Sequence, residues 1–321
     1  MFRLALCSVL MAGPAWAGSF KLSGRTQARY TVQEAPGELS LPRVRLKLSG
    51  KNDYLKKATI QVDLGKGAVN LKDAYADLGI GALLVRVGQF KKPFTRQQLI
   101  SSSRLALVDR SATDKAFKAG RDLGLMIHNG NKNKIEYALG VFNGHGDKGV
   151  FLPAKGKFSN LTGAARPVVV GRLGYNHGPA DGYDEVDFKG GGLRLATAVS
   201  MQQYFTQGAA HKPERYKEER YMGVDVLAKI KGAAVLAEYF MGGATAGDSS
   251  TGLHVQAGYL IAKRYQPIVR YVQVDDSQAV TLGVSSFMKK HKLKTQLDVT
   301  QSLDDADEGA TMVRAQVQFS F

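Results

Sequence analysis

Polar and apolar residues alternate along most of this chain with a period of two. That is the mark of strands with two unlike faces, and the 3.6-residue period of a helix is missing. From about 19 to 32, Lys21, Ser23, Arg25, Gln27 and Arg29 fall on one face, and Phe20, Leu22, Ala28, Tyr30 and Val32 on the other. The next segment, about 41–50, sets Arg43, Arg45 and Lys47 against Val44, Leu46 and Leu48. Around 56–65, Lys57, Thr59, Gln61 and Asp63 oppose Ala58, Ile60, Val62 and Leu64. Late in the chain Lys292, Lys294, Gln296, Asp298 and Thr300 oppose Leu293, Leu297 and Val299. The same reading places strands near 68–78, 83–89, 121–129, 133–142, 166–175, 191–205, 220–230, 232–241, 251–262, 265–275, 278–288 and 309–321, sixteen in all. Imperfect alternation at 68–78 and 265–275 leaves fourteen or eighteen open.

The connections test that count independently, because a bacterial membrane barrel joins its strands by short periplasmic turns at one end and longer loops at the other. With the amino terminus periplasmic, the expected turns are 51–55, 79–82, 130–132, 176–190, Lys231-Gly232, 263–264 and 289–290. The expected outer connections are 33–40, 66–67, 90–120, 143–165, 206–219, 242–250, 276–277 and 303–308. Every long connection but one falls in the second set. The exception, Asn176 to Gly190, is an over-long turn or a missed strand pair.

Alternation alone does not separate a soluble sandwich from a membrane barrel. Sixteen strands do, since they close around a lumen wide enough for water rather than packed side chains. Lipid also demands that all backbone hydrogen bonds be made internally, which a closed barrel achieves. The expected fold is therefore all-β: a transmembrane antiparallel β-barrel of sixteen strands, polar face inward and apolar face to lipid. Arg25, Arg29, Arg43, Arg45, Lys47, Arg86, Arg194, Lys292, Lys294 and Arg314 then point into the lumen. The first two and last two strands adjoin in a closed barrel, so much of this charge lies on one wall.

The first seventeen residues read as a secretory signal peptide: Arg3, an apolar stretch from Leu4 to Ala12, and Ala15-Trp16-Ala17 as an A-x-A-like exit before Gly18. The apolar stretch is too short to span a bilayer as a helix, which takes about 20 residues. Residues 18–321 are then the barrel domain. The single cysteine, Cys7, falls inside the signal, so disulfides and thiolate chemistry are not expected beyond it. With 44% hydrophobic residues and no run of apolar residues long enough for a spanning helix after residue 17, a helical membrane protein is excluded. Lysine and arginine total 44 against 28 acidic residues, a net charge of +16, which favours anionic partners. In an exported chain these are small anions or lipopolysaccharide phosphates rather than nucleic acid. The final run, Met312 to Phe321, alternates throughout and resembles the closing strand of outer-membrane barrels, whose terminal Phe is read by the assembly machinery.

The stretch Leu84-Val85-Arg86-Val87-Gly88-Gln89-Phe90-Lys91-Lys92-Pro93-Phe94, followed by Leu107-Val108-Asp109-Arg110-Ser111, resembles the phosphate-selective porin O and P family. There a "vGqfk-Pf" stretch opens the constriction loop and an Arg-Ser pair follows. Val141-Phe142-Asn143-Gly144 is similar to that family's "vfNG" strand end. The core of the resemblance covers 83–144. It implies a sixteen-stranded trimeric anion channel, without a cofactor, that conducts phosphate or related oxyanions. Not all members are phosphate-selective, and this chain is shorter than the best-known ones. Their individual phosphate-binding lysines do not map onto it.

In sixteen-stranded porins the third outer loop folds inward and narrows the pore. Here that loop, about 90–120, is the longest connection, and a loop of that length is usually functional. It carries Lys91, Lys92, Arg96, Arg104, Arg110, Lys115 and Lys118 against Asp109 and Asp114. Arginine offers phosphate a planar fork of donors and lysine a compact charge. A second role competes: Arg110 and Asp109 pinning the loop to the wall, the lysines near 115–118 solvated, and wall arginines paired with Asp63 and Asp298. Further lysines and arginines at 148, 155, 157, 212, 215 and 217 suit lipopolysaccharide phosphates or bare solvation. Ser285, Ser286 and the six histidines show no spacing for a nucleophile and base, and no metal-ligand or P-loop motif occurs. An enzyme is therefore not expected. The competing readings are a weakly selective diffusion porin and a non-conducting structural or adhesive barrel.

Overall fold

A computed structural model describes residues 18–33, 36–131, 133–144, 146, 167–178, 182–205, 218–244, 247, 249–304 and 310–321. The signal segment 1–17, His145, and the basic residues at 148, 155, 157, 212, 215 and 217 lie outside the described residues.

Sixteen strands are present among the described residues: β1 (Ser19–Val32), β2 (Glu38–Lys51), β3 (Leu55–Asp63), β4 (Asn70–Ile80), β5 (Leu83–Lys91), β6 (Arg121–His128), β7 (Ile135–Phe142) and β8 (Val168–His177). They continue as β9 (Arg194–Tyr204), β10 (Glu219–Ile230), β11 (Ala233–Ala244), β12 (Ser249–Tyr259), β13 (Tyr265–Val274), β14 (Ser277–Phe287), β15 (Leu293–Ser302) and β16 (Thr311–Ser320). Each pairs antiparallel with its chain neighbour, and β1 pairs with β16, closing the barrel. Strand number and closure match the sequence reading, including the Lys231-Gly232 turn. Both residues there have positive φ, +48° and +95°, as the tight turn joining β10 to β11 requires.

The charged members of the alternating strands face inward. On β1, Arg25 and Gln27 are buried while Phe20, Leu22 and Tyr30 are exposed. The same parity leaves Leu46, Leu48, Ile60, Leu173, Val224, Leu297 and Phe319 on the outer surface. Phe321 continues this outer row past β16. Its N–H donates to the Gly24 carbonyl and its own carbonyl accepts from the Gly24 N–H, both at 3.1 Å. Its ring lies across Gly24, where an added Cβ would come within 2.1 Å of a ring carbon. Glycine at 24 is thus what lets an aromatic ring cover the β1–β16 seam.

The interior departs from a uniformly polar lining. Val168, Val170, Tyr204, Tyr221, Leu227, Leu236, Phe240, Ile268 and Phe287 are inward-facing and buried on β8–β14. They pack in three apolar clusters against residues of the connections 92–120 and 182–193. Strands β10 and β11 carry apolar residues on both faces, lipid covering one and packed chain the other, with Asp225, Lys229 and Glu238 as buried charged positions on the inner face.

Candidate functional site

The site is built by the long connection from β5 to β6. Pro93 ends the β5 ladder. Thr95 then caps a helical turn, Arg96–Leu99, its hydroxyl oxygen accepting the Gln98 N–H at 3.1 Å. The apolar run Leu105-Ala106-Leu107-Val108 follows, each residue at most 1% exposed. It lies across inward side chains of the last strands. The Ala106 carbonyl accepts from the Ser285 hydroxyl at 2.5 Å and the Gln296 amide at 2.8 Å. The Leu105 carbonyl accepts from Lys294 at 2.6 Å, and the Val108 N–H donates to Asp298 at 3.0 Å. A second helical turn, Thr113–Ala116, leads to Phe117, which stacks on Phe240 at 5.3 Å. The loop is thereby fastened to the inner wall from β8 round to β15.

Asp109 joins the loop to the adjoining wall of β16, β1 and β2. Arg29 donates two hydrogen bonds to it, at 2.6 and 3.1 Å, and Arg43 one at 2.8 Å. Arg314 stands 3.6 Å away and pairs with Asp298 at 2.7 Å. Burial works to raise the Asp109 carboxyl, but Arg43 and Arg29 outweigh it and hold the group well below the usual carboxylate range. Three wall arginines expected to face water therefore pin the loop.

Several of the other expected cations are also engaged. Arg45 pairs with Asp63 at 2.7 Å and donates to the Ser102 hydroxyl, as does Arg25. Arg86 pairs with Asp77 at 2.6 Å and lies 4.1 Å from the centre of the Tyr75 ring. Arg194 pairs with Asp187 and Lys118 with Glu219. Lys91 donates to the Leu99 and Ile100 carbonyls. Lys92 is buried against the Tyr204 hydroxyl at 2.5 Å, and desolvation pushes its ammonium down to about 8. Arg96 is fully buried, donating to Asp225 at 2.5 Å and to the Gly182 carbonyl at 2.7 Å. Arg110 binds the Gln97 and Ile100 carbonyls and stands 3.3 Å from Asp114. Lys115 is exposed. Lys292, expected on a strand, sits instead in the β14–β15 turn, exposed at the periplasmic end.

Beside the loop a cavity of about 550 Å³ opens along the wall of β1–β8. It brings together Arg25, Arg45, Lys47, Lys57, Arg86, Lys91, Arg104, Arg121 and Arg172, against Asp73 and Glu136 as the carboxylates lining it. Lys47, Lys57 and Arg104 have no ion-pair partner among the described residues; Lys57 lies 5.5 Å from the Tyr75 ring. The strand alternation placed Lys57 on the polar face, but it was not singled out there as a pore residue. Arg121 and Arg172 were missed too, although both sit at inward positions readable from strand parity.

A sequence model of the phosphate-selective porin O and P family matches residues 20–321. The chain belongs to that family. No curated protein matches it. Among solved structures, the anion-selective porin of Comamonas acidovorans superposes with a TM-score of 0.60 at 15% identity, covering 95% of this chain and all of that one. The outer-membrane channel DcaP of Acinetobacter baumannii gives 0.62 at 13% identity, over 96% and 99% of the two chains. OmpT of Vibrio cholerae, in a trimer form, gives 0.63 at 10% identity over 95% and 99%. The protein is an outer-membrane porin of the Gram-negative type.

Sequence reasoning left Asn176 to Gly190 of this porin as an over-long turn or a missed strand pair; β8 ends at His177 and β9 starts at Arg194, with no strand among the described residues between them. The described part of this connection folds into the barrel from the periplasmic end. Glu185, 2% exposed, accepts from the Gln97 amide at 2.9 Å, the Ala106 N–H at 2.7 Å and the Gln256 amide at 3.0 Å. Asp184 meets His291 at 2.9 Å, and Asp187 accepts from the Gly190 and Gly232 N–H groups. Phe188 packs edge-on against Phe287. Its one sequence signal was excess length on the short-turn side.

Proposed function

We propose that this porin is an anion-favouring channel for phosphate or other small anions such as chloride, with a cleaved signal peptide at residues 1–17. The observation that carries the reading is the cavity beside the long loop, lined by nine cationic side chains, of which Arg45, Arg86, Arg121 and Arg172 are paired with carboxylates while Lys47, Lys57 and Arg104 have no ion-pair partner among the described residues. Fixed positive charge between low-dielectric walls concentrates anions and repels cations. The family name and the anion-selective Comamonas acidovorans neighbour support the same direction. The pairing of Arg29, Arg43, Arg45, Arg86 and Arg314 with carboxylates favours moderate rather than strict selectivity, closer to a general diffusion pore. A homotrimer is proposed on the precedent of the Vibrio cholerae neighbour, and lipopolysaccharide phosphates are proposed as surface partners.

The test is the reversal potential of the reconstituted porin across a potassium chloride gradient, with phosphate then added to one side. Chloride is expected to be preferred at ~0.1 M salt, the preference shrinking toward ~1 M as the Debye length falls from about 10 to about 3 Å. A potassium-preferring potential at low salt would refute the selectivity. Concentration-dependent block of chloride current by phosphate marks an oxyanion site; simple additivity of the two currents marks a general anion pore.

A further inference from the structure

The cavity of about 550 Å³ beside the long loop is not the only space in the barrel. A second recess of about 440 Å³ opens at the periplasmic end, lined in part by Asp184, Lys189, Lys290, His291 and Lys292. The two spaces share five lining residues: Ser103 and Arg104 of the long loop, Asn131 of the β6–β7 turn, Tyr183 of the β8–β9 connection, and Ser320 of β16. A rim common to two adjoining spaces is where a solute passes from one to the other. Arg104 is the only ionised group of the five, and its side chain has no hydrogen-bond or ion-pair partner among the described residues.

The side facing Arg104 is rigid. Tyr183 donates its hydroxyl proton to Glu136 at 2.7 Å and lies under the Arg96 guanidinium, 5.5 Å from its ring centre. Arg96 is itself held by Asp225 and by the Gly182 carbonyl. Two residues on, Glu185 fastens the same segment to the long loop and to β12 through three accepted hydrogen bonds. The space behind Tyr183 is filled by Ile100, Leu105, Ala196, Leu227 and Leu236. The connection therefore acts as a fixed wall.

We propose that the selectivity-determining throat of this porin lies between Arg104 and Tyr183, built jointly by the long loop and the inward-folded β8–β9 connection. Arg104 is its specificity-determining residue, and the ligand class is small oxyanions. Its unpaired planar fork can give a carboxylate or phosphate two parallel hydrogen bonds. The Ser103 and Ser320 hydroxyls and the Asn131 amide supply neutral donors in place of lost hydration. The throat deepens the anion-channel reading and rests on it.

In planar bilayers, Arg104→Gln should lower the chloride-to-potassium permeability ratio at least about threefold, since a unit charge ~5 Å from the path in water changes the partition of each ion about fourfold before screening. Arg104→Lys should keep the ratio in chloride but weaken block by added phosphate, because the fork is lost and the charge retained. Asn131→Cys provides a second arm in an exposed turn, readable even if loop variants fold poorly. Tagging that thiol with a sulfonatoethyl methanethiosulfonate should cut chloride current by roughly half or more, whereas the same tag on Tyr54→Cys, in the exposed β2–β3 turn away from both spaces, should leave it nearly unchanged. Complete tagging at 131, verified by mass, with undiminished current overturns the throat. An Arg104→Gln channel with the parent's permeability ratio overturns the role of Arg104. A parent protein without anion preference defeats the anion-channel reading itself and is thereby distinguishable from either result.

Discussion

The fastening of the long loop to the barrel wall can be tested by a double-mutant cycle at Phe117 and Gly252. Phe117 is fully buried inside the barrel, stacked on Phe240 and edge-on to Tyr221 at 6.1 Å. Its ring occupies the hollow left by glycine on β12: a Cβ at Gly252 would lie 2.3 Å from a ring carbon. Phe117→Ala removes the buried ring and should cost about 3 to 5 kcal/mol, the usual range for such truncations. Gly252→Ala drives a methyl group into the ring and should cost about 1 to 3 kcal/mol by overpacking. If the two groups occupy one space, the added methyl is accommodated once the ring is gone. The double variant should then resemble Phe117→Ala alone and miss the additive sum by about 1 to 3 kcal/mol. Denaturant unfolding of the barrel in vesicles gives the energies, and single-channel noise gives the freedom of the loop, expected to rise in both single variants. Additive costs in the double variant would show that ring and hollow do not meet, and the docking described here would be wrong.

Two further outcomes follow from other contacts. Gly24→Val should displace the Phe321 ring from the β1–β16 seam and reduce the yield of heat-resistant folded barrel on refolding into vesicles, at a cost of about 1 to 3 kcal/mol; an unchanged yield would mean that the ring does not cover the seam. Asp114 is buried beside Glu238, and both effects raise its carboxyl, to about 6. The docked loop thus favours the neutral acid, so anchorage is strongest below about pH 4 and weakens as pH climbs through about 6. Channel noise should rise over that window and Asp114→Asn should flatten the rise; a profile left intact by that substitution would assign it to another group.

Much of the architecture was legible because period-two alternation reports directly which face a side chain occupies. Arg25, Arg43 and Arg45 were placed inward from that alone, and the parity of short and long connections set the strand count. Alternation says nothing about partners across the barrel. That Arg29 and Arg43 meet Asp109, 80 and 66 residues away, depends on how the loop threads the interior, which no local pattern encodes. Lys92 and Arg96 carry the same residue types as an open filter, yet they are buried. Their burial follows from how the loop packs on the inner faces of β8–β11, where Asp225 and the Tyr204 hydroxyl receive them, a pairing that no pattern local to 92–96 encodes. Glu185 could not be found from its own sequence context, since its three donors come from two distant segments, the long loop and β12.

The closure of β1 on β16 also has a consequence for the order of assembly. Gln27 and Gln318, joined at 2.7 Å, stand 291 positions apart, and the long loop is held by Ser285, Lys294 and Asp298 from the last strands made. Pairings so remote in sequence form late, after a large loss of chain freedom. The loop's hold on β14 and β15 is therefore among the last contacts made, and once β16 has zipped to β1 the loop can no longer leave the lumen through its side.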